Sequence, residues 1–96
     1  MKAVIVVTDC EVMQQIESAL LDAGTNGFTI LPRVLGSGRS GLKTGDRIHP
    51  GGSSLMFSVI PEERLEDTLR VDKDVRDRTQ SAPDTRIFVI DADIIE

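Results

Sequence analysis

The chain has 96 residues, a net charge of −5 and one cysteine. Its length fits a single domain, residues 1–96, and its acidity disfavours nucleic acid as a partner. One cysteine forms no internal disulfide, and the apolar run at 3–7 is too short for a signal peptide or membrane span. We therefore expect a cytoplasmic protein without direct membrane insertion.

A strand and a helix are predicted in the first 24 residues. Residues 2–7 are β-branched and apolar on both faces, which indicates a strand buried inside a sheet. Thr8 and Glu11 have the spacing of a capping box, and Gly24 stands where a helix would stop. The apolar positions between them have helical spacing: Val12, Met13, Ile16, Ala19, Leu20 and Ala23.

Three further strands follow. Residues 27–35 read as a strand that Pro32 restricts to a sheet edge or a bulge, because proline lacks a backbone donor. Residues 53–60 alternate apolar side chains with serines and Met56, which is typical of a half-buried strand. Residues 86–95 form the last predicted strand, which is apolar on both faces.

A second helix is predicted between the last two strands. Pro61 suits its first position, and the helix extends to about Arg78. Asp72 conflicts with this prediction, because it lies within the helix's apolar stripe. The other members of that stripe are Leu65, Thr68, Leu69, Val75 and Thr79.

The element order is β-α-β-β-α-β, which predicts an α+β, ferredoxin-like fold: a four-stranded antiparallel sheet with two helices on one face. Two helices cover only one face of such a sheet. The doubly apolar last strand therefore suggests that the open face packs against further copies of the chain.

The segment at about 36–52 is predicted to be a flexible loop. It carries six of the eight glycines and the only histidine, but few apolar anchors. It approximates a nucleotide-binding P-loop, yet a strand rather than a helix follows, which argues against that function. Because the only histidine lies here, no catalytic set can be assembled, and we do not expect an enzyme.

Two parts of the sequence resemble the P-II nitrogen-regulatory signalling family. Residues 27–30 (GFTI) and 34–41 (VLGSGRSG) are similar to its second strand and loop base, G-x-T-V and V-x-G-x-G-R-Q-x-G. Residues 83–89 (PDTRIFV) resemble the end of its glycine-rich phosphate loop and its last strand. The chain departs from the family pattern at Pro83 and Thr85, which replace glycines, at Ser40, and in having a short loop and no tyrosine.

The resemblance implies a homotrimer that binds adenine nucleotides in clefts between subunits. A long loop, the T-loop, would signal occupancy to a membrane transporter or a regulatory enzyme, with Lys43, Arg47 and His49 on its contact surface. The implied ligand-binding residues lie near the adenine, at the loop base and in the phosphate loop: Thr29, Gly36, Ser37, Gly38, Arg39, Asp84, Thr85 and Arg86.

We therefore expect a divergent PII-like regulator that binds a small anionic ligand, with an adenine nucleotide as one candidate and no cofactor assigned. Two alternatives stay open. One is a protein-interaction adaptor without a ligand. The other is a metal-ion binding protein of the trimeric copper-tolerance type, built on Cys10 or His49.

Overall fold

The computed structural model describes residues 1–25, 27–34, 36–38, 41–43 and 52–95. Two helices and a four-stranded sheet occur in the predicted order, and a short ladder of two strands lies within the predicted loop. The elements are β1 (Lys2–Asp9), α1 (Cys10–Asp22), β2 (Phe28–Val34), β3 (Gly36–Gly38), β4 (Gly41–Lys43), β5 (Ser53–Ile60), α2 (Leu65–Arg78) and β6 (Arg86–Asp91).

The main sheet has the strand order β2-β5-β1-β6, and every neighbouring pair is antiparallel. This order confirms the ferredoxin-like prediction. The strand β1 lies inside the sheet, and Val4 and Val6 on its helix side are fully buried. They join the core residues contributed by both helices and β5: Val12, Met13, Ile16, Leu20, Met56, Ile60 and Val75.

The composition of β5 does not reveal which of its two faces lies under the helices. Ser54, Met56 and Ser58 are buried beneath the helices, since they pair with Thr8, Val6 and Val4 of β1. Leu55, Phe57 and Val59 point to the opposite face, where Phe57 is 41% exposed. The helices therefore cover the more polar face of β5.

The opposite face of the sheet, which no helix covers, carries a row of exposed apolar side chains. Leu31, Phe57, Phe88 and Ile90 are 54%, 41%, 49% and 52% exposed, and they come from three different strands. An apolar surface of this kind marks an interaction site in soluble proteins. We call Leu31, Phe57, Phe88 and Ile90 together the open face.

The predicted capping box at the start of α1 is wrong. β1 continues through Asp9, because Thr8 and Asp9 still pair with Ser54 and Ser53 of β5. The helix begins at Cys10, and no side-chain hydrogen bond caps it. Thr8 instead directs its hydroxyl to Thr85, across the sheet.

The predicted stop of α1 at Gly24 is confirmed. Gly24 has a φ of +85°. Its N–H donates to the Leu21 carbonyl, and the N–H of Thr25 donates to the Leu20 carbonyl at 2.8 Å. These two bonds form a Schellman motif, which satisfies carbonyls that the helix end leaves free. Glycine is favoured here because a left-handed backbone strains residues with a Cβ.

Pro32 distorts β2, as predicted. The pairing with β5 shifts register between Leu31 and Val34, and Arg33 adopts a φ of +58°. β2 also lies at an edge of the sheet. The strand therefore has both the bulge and the edge position that the proline predicted.

The last two elements differ from the prediction in their limits. A 3₁₀ turn, Glu62–Arg64, separates Pro61 from α2, which starts only at Leu65. The final strand ends at Asp91 rather than at residue 95. Lys2 forms an ion pair with Asp91 at this end of the sheet; the hydrogen bond between them raises the pKa of Lys2 and lowers that of Asp91.

Replacing Gly24 with alanine should lower the free energy of unfolding by about 1 kcal/mol, because the positive φ strains any residue with a Cβ. An added Cβ would meet no atom within 4 Å, so the backbone conformation is the only source of the cost. Urea unfolding measures the change at a fixed protein concentration. Gly27→Ala is the matched control, since Gly27 is equally open but has no positive φ; equal losses in both variants would contradict this explanation.

Candidate functional site

One end of the sheet gathers the segments to which the sequence assigned ligand binding. β1 ends there at Asp9, and β2 ends there at Val34, which pairs with Ser53 at the start of β5. β6 begins at the same end with Arg86, opposite Val7. The loop base, Gly36–Gly38, and the segment 81–86 therefore lie at a common end of the sheet.

A chain of buried hydroxyls fixes the segment 81–86 to the sheet. The Thr8 and Thr85 hydroxyl oxygens lie 2.7 Å apart, and Thr85 donates to the Ser81 hydroxyl at 3.0 Å. Ser81 in turn donates to the Arg76 carbonyl at the end of α2. Each hydroxyl has one proton, so with Thr85 donating to Ser81, Thr8 is the donor in the bond that it shares with Thr85.

Thr79 adds further contacts between the end of α2 and the segment 81–86. Its hydroxyl lies 2.7 Å from the Val75 carbonyl and 2.9 Å from the Ser81 hydroxyl. Gln80, with a φ of +57°, makes the turn that follows α2, and its N–H donates to the Asp77 carbonyl. The helix end and the segment 81–86 are thus one hydrogen-bonded unit.

The side chain of Thr85 is directed into the protein. It is only 5% exposed, and its hydroxyl is engaged with Thr8 and Ser81. Any contact between Thr85 and a ligand would therefore use the backbone. Asp84 is partly exposed in the 3₁₀ turn Ala82–Asp84, and its N–H donates to the Ser81 carbonyl.

Arg86 is the exposed cation of this segment. One guanidinium nitrogen lies 3.4 Å from the Thr85 carbonyl oxygen. Arg86 is the next residue in the sequence after Thr85, a member of the hydroxyl chain. A guanidinium presents several donors in a planar fork, which matches phosphate and carboxylate oxygens. This position can therefore contribute positive charge to an anion at the end of the sheet.

Thr29 lies on the opposite edge of the same sheet face. It is exposed on β2 and pairs with Phe57, whereas Arg86 begins β6 at the other edge. Three strand spacings separate these edges, about 14 Å at the usual spacing between neighbouring strands. Thr29 and Arg86 therefore lie on the two outer strands of the sheet and are not neighbours within one chain.

The loop base has a regular backbone. Gly36, Ser37 and Gly38 pair with Lys43, Leu42 and Gly41 in the β3–β4 ladder. Three residues that the sequence assigned to ligand or partner binding, Arg39, Arg47 and His49, lie outside the described residues. The predicted mobility of the loop likewise falls mostly on positions outside them.

Thr8 and Ser81 are residues of the site that sequence reasoning did not find. The clustering of hydroxyl residues at 79–85 was an available signal for Ser81. Thr8 had no such signal, because its partner Thr85 is 77 positions away in the chain.

The alternative of a metal site has little support in the described residues. No group of three or more His, Cys, Asp or Glu side chains among them is arranged to hold a metal ion. Cys10, partly exposed, lines a cavity of about 300 Å³ between α1 and β2. The other residues around this cavity are mainly apolar or uncharged: Met13, Gln14, Glu17, Ile30, Pro32 and Ser54.

The fold defines a class of protein: a ferredoxin-like α+β domain whose candidate ligand-binding residues lie on both outer strands of the sheet. Comparison with protein families matches the chain to "Nitrogen regulatory protein P-II" over residues 1–96. The chain therefore belongs to the P-II family, which confirms the resemblance seen in the sequence. Members of this family are signalling regulators, and the chain is a regulatory protein rather than an enzyme.

Solved structures support the fold. Two structures of CPII, a nitrogen regulatory PII-like protein from Thiomonas intermedia K12 bound to ADP, AMP and bicarbonate, are similar to the chain. One has a TM-score of 0.68 at 18% identity and covers 93% of this chain and 82% of CPII. The other has a TM-score of 0.66 at 19% identity, with 92% and 86% covered.

A comparison with curated protein sequences found no match. Neither α1 nor α2 is long and apolar enough to cross a membrane, and the same holds for every helix in the described part of the chain.

Thr85→Val should lower the free energy of unfolding by about 1–3 kcal/mol, because it leaves the Thr8 and Ser81 hydroxyls without their buried partner. Thr8→Val should act in the same direction. The double variant should lose less than the sum of the single losses, by about 0.5–3 kcal/mol, since the two hydroxyls share one hydrogen bond.

Chemical denaturation of the four proteins measures this coupling. Thr29→Val is the control, because its hydroxyl is exposed on β2 and its loss should change stability by less than about 0.5 kcal/mol. Strictly additive losses at positions 8 and 85 would show that the hydroxyl chain does not act as a unit.

Proposed function

We propose that this protein is a trimeric, cytoplasmic PII-like regulator that binds a small anionic ligand between subunits and signals occupancy through its loop. The placement of Thr29 and Arg86 on opposite edges of the sheet is the observation that carries this proposal. A closed ring of copies brings one edge of each chain toward the opposite edge of the next. Each cleft then receives Thr29 from one subunit and Arg86 from another.

The open face supports self-association. Its exposed apolar side chains contribute roughly 25 cal/mol for each Å² that a neighbouring copy covers. A chain of 96 residues with only three aromatic residues has a small core, so contacts between subunits add stability that the single chain lacks.

The charges at the site support an anionic ligand. Arg86 is exposed at the end of β6, and Arg39 follows the loop base that starts from the same end of the sheet. The CPII structures hold ADP, AMP and bicarbonate, all of which carry anionic oxygens. Because Pro83 and Thr85 replace family glycines, we infer that arginine side chains hold the anion more than a glycine-rich backbone does.

The loop is the proposed contact with a partner protein. Lys43, Arg47 and His49 would present basic groups on an otherwise acidic protein, which suits an acidic surface of a transporter or regulatory enzyme. The loop base and the segment 81–86 share one end of the sheet. A ligand held there would therefore change the conformations available to the loop.

Light scattering at micromolar concentration should give about three times the chain mass of 10.5 kDa. Phe88→Asp should reduce that mass, because it places a charge within the apolar open face. Leu21→Asp is the matched control: Leu21 is similarly exposed, at 52%, but lies on α1, on the other side of the sheet. A monomeric mass for the unmodified protein would rule out the assembly.

Calorimetric titration with AMP, ADP, ATP, cyclic AMP and bicarbonate should find at least one ligand. Arg39→Ala and Arg86→Ala should each weaken its binding by about tenfold or more, since a charge-assisted hydrogen bond contributes about 1.5–3 kcal/mol. Arg70→Ala is the control, because Arg70 is an exposed arginine on α2 that pairs with Asp67.

Unchanged affinity in both the Arg39 and Arg86 variants would place the ligand elsewhere. A trimer that binds none of these compounds would favour the alternative of an interaction adaptor without a ligand.

A further inference from the structure

Asp72 is a carboxyl group inside the apolar layer between α2 and the sheet. It occupies the middle of α2 and is only 1% exposed. Thr68 and Val75, one turn to either side, are buried as well. The sequence placed Asp72 on the apolar stripe of this helix, and the structure shows that the side chain is buried there.

Neither carboxyl oxygen of Asp72 has a hydrogen-bond partner. A buried ionised carboxylate without a partner is among the costliest groups that a protein can contain, because it loses its hydration and gains nothing in return. Such a group relieves the cost by binding a proton. The neutral carboxyl has a much smaller penalty.

The surroundings supply no charge that would keep Asp72 ionised. The pKa of Asp72 rises from its ordinary value of 3.8 to about 7, and burial is the only cause of the shift. On the elements that pack around α2, Lys2 and Asp91 pair with each other at one end of the sheet. Glu17 is the only partly buried acid of α1 in the described structure, and it does not contribute to the shift.

We propose that Asp72 is a proton-binding site that couples the packing of α2 to pH. The carboxyl is neutral while the helix is packed tightly on the sheet, and its ionisation drives it toward water. Because the side chain points into the core, water reaches it only when α2 loosens. The proposal does not depend on any ligand of the candidate site.

Loosening of α2 has a structural consequence at the helix end. The helix terminates in the bonds of Thr79 and Ser81, which hold the segment 81–86. Proton release at position 72 therefore acts on the segment that carries Arg86.

The direction of the pH effect follows from the raised pKa. Between about pH 4 and pH 7 the folded protein holds one proton at Asp72 that the unfolded chain has released. The contribution of Asp72 to the free energy of unfolding therefore falls as pH rises through that window, and it levels off above pH 7. Because the folded protein holds one more proton than the unfolded chain, the melting temperature should fall by about 5 °C per pH unit for a domain of this size.

Melting temperatures from pH 5 to pH 9 test the proposal in wild-type protein, Asp72→Asn and Asp74→Asn. Asp72→Asn keeps the shape but cannot ionise, so its melting temperature relative to wild type should rise as pH increases from 5 to 7.5. Asp74→Asn is the matched control, because Asp74 is exposed on the same helix; its difference from wild type should stay constant over this range. Parallel curves for wild type and Asp72→Asn would overturn the proposal.

A second measurement needs only the wild-type chain and so holds even if the variant does not fold. The carboxyl carbons of the aspartates report ionisation directly in ¹³C NMR spectra. The carboxyl carbon of Asp72 should titrate with a midpoint near pH 7. If every aspartate is ionised by pH 6, Asp72 is not a proton-binding site near neutral pH.

Discussion

A four-stranded sheet has two faces, and two helices cover only one of them. This constraint governs the rest of the molecule, because the chain places apolar side chains on both faces. β1 lies between β5 and β6, and its buried valines on one side meet α1 and α2. The other side leaves Phe57 and Phe88 exposed. Exposed apolar surface of this kind marks an interaction site, which supports the proposed self-association.

The same geometry divides the candidate site. In the proposed assembly, the edges of adjacent copies approach each other and bring Thr29 and Arg86 together. Assembly and ligand binding would then depend on one another, because the contact between copies also completes the cleft. In this arrangement a ligand between subunits stabilises the assembly by the free energy of its own binding, and its release makes the contact weaker.

Local rigidity at the site comes from hydroxyl groups rather than from backbone shape. The chain from Thr8 through Thr85 to Ser81 joins the central strand to the end of α2. A glycine-rich segment at this position would have a flexible backbone, whereas a segment held by buried hydroxyls has a fixed backbone conformation. This difference favours side chains such as that of Arg86 over the backbone as the ligand contacts. It also connects the end of α2, the helix that contains Asp72, to the segment that carries Arg86.

Local patterns in the sequence were sufficient for the element order, the stop of α1 at Gly24, the bulge at Pro32 and the family resemblance, because each depends on residues a few positions apart. The family resemblance assigned ligand binding to the loop base and to residues 84–86, and the fold brings these segments to the same end of the sheet. Local patterns failed where distant residues decide. Alternation along β5 shows that the strand has two faces but not which face the helices cover. The local sequence predicts Thr8 to be a helix cap, whereas in the structure its hydroxyl bonds to Thr85, which is 77 positions away. The burial of Asp72 likewise depends on the sheet and α1 closing over it, which no pattern within α2 can reveal.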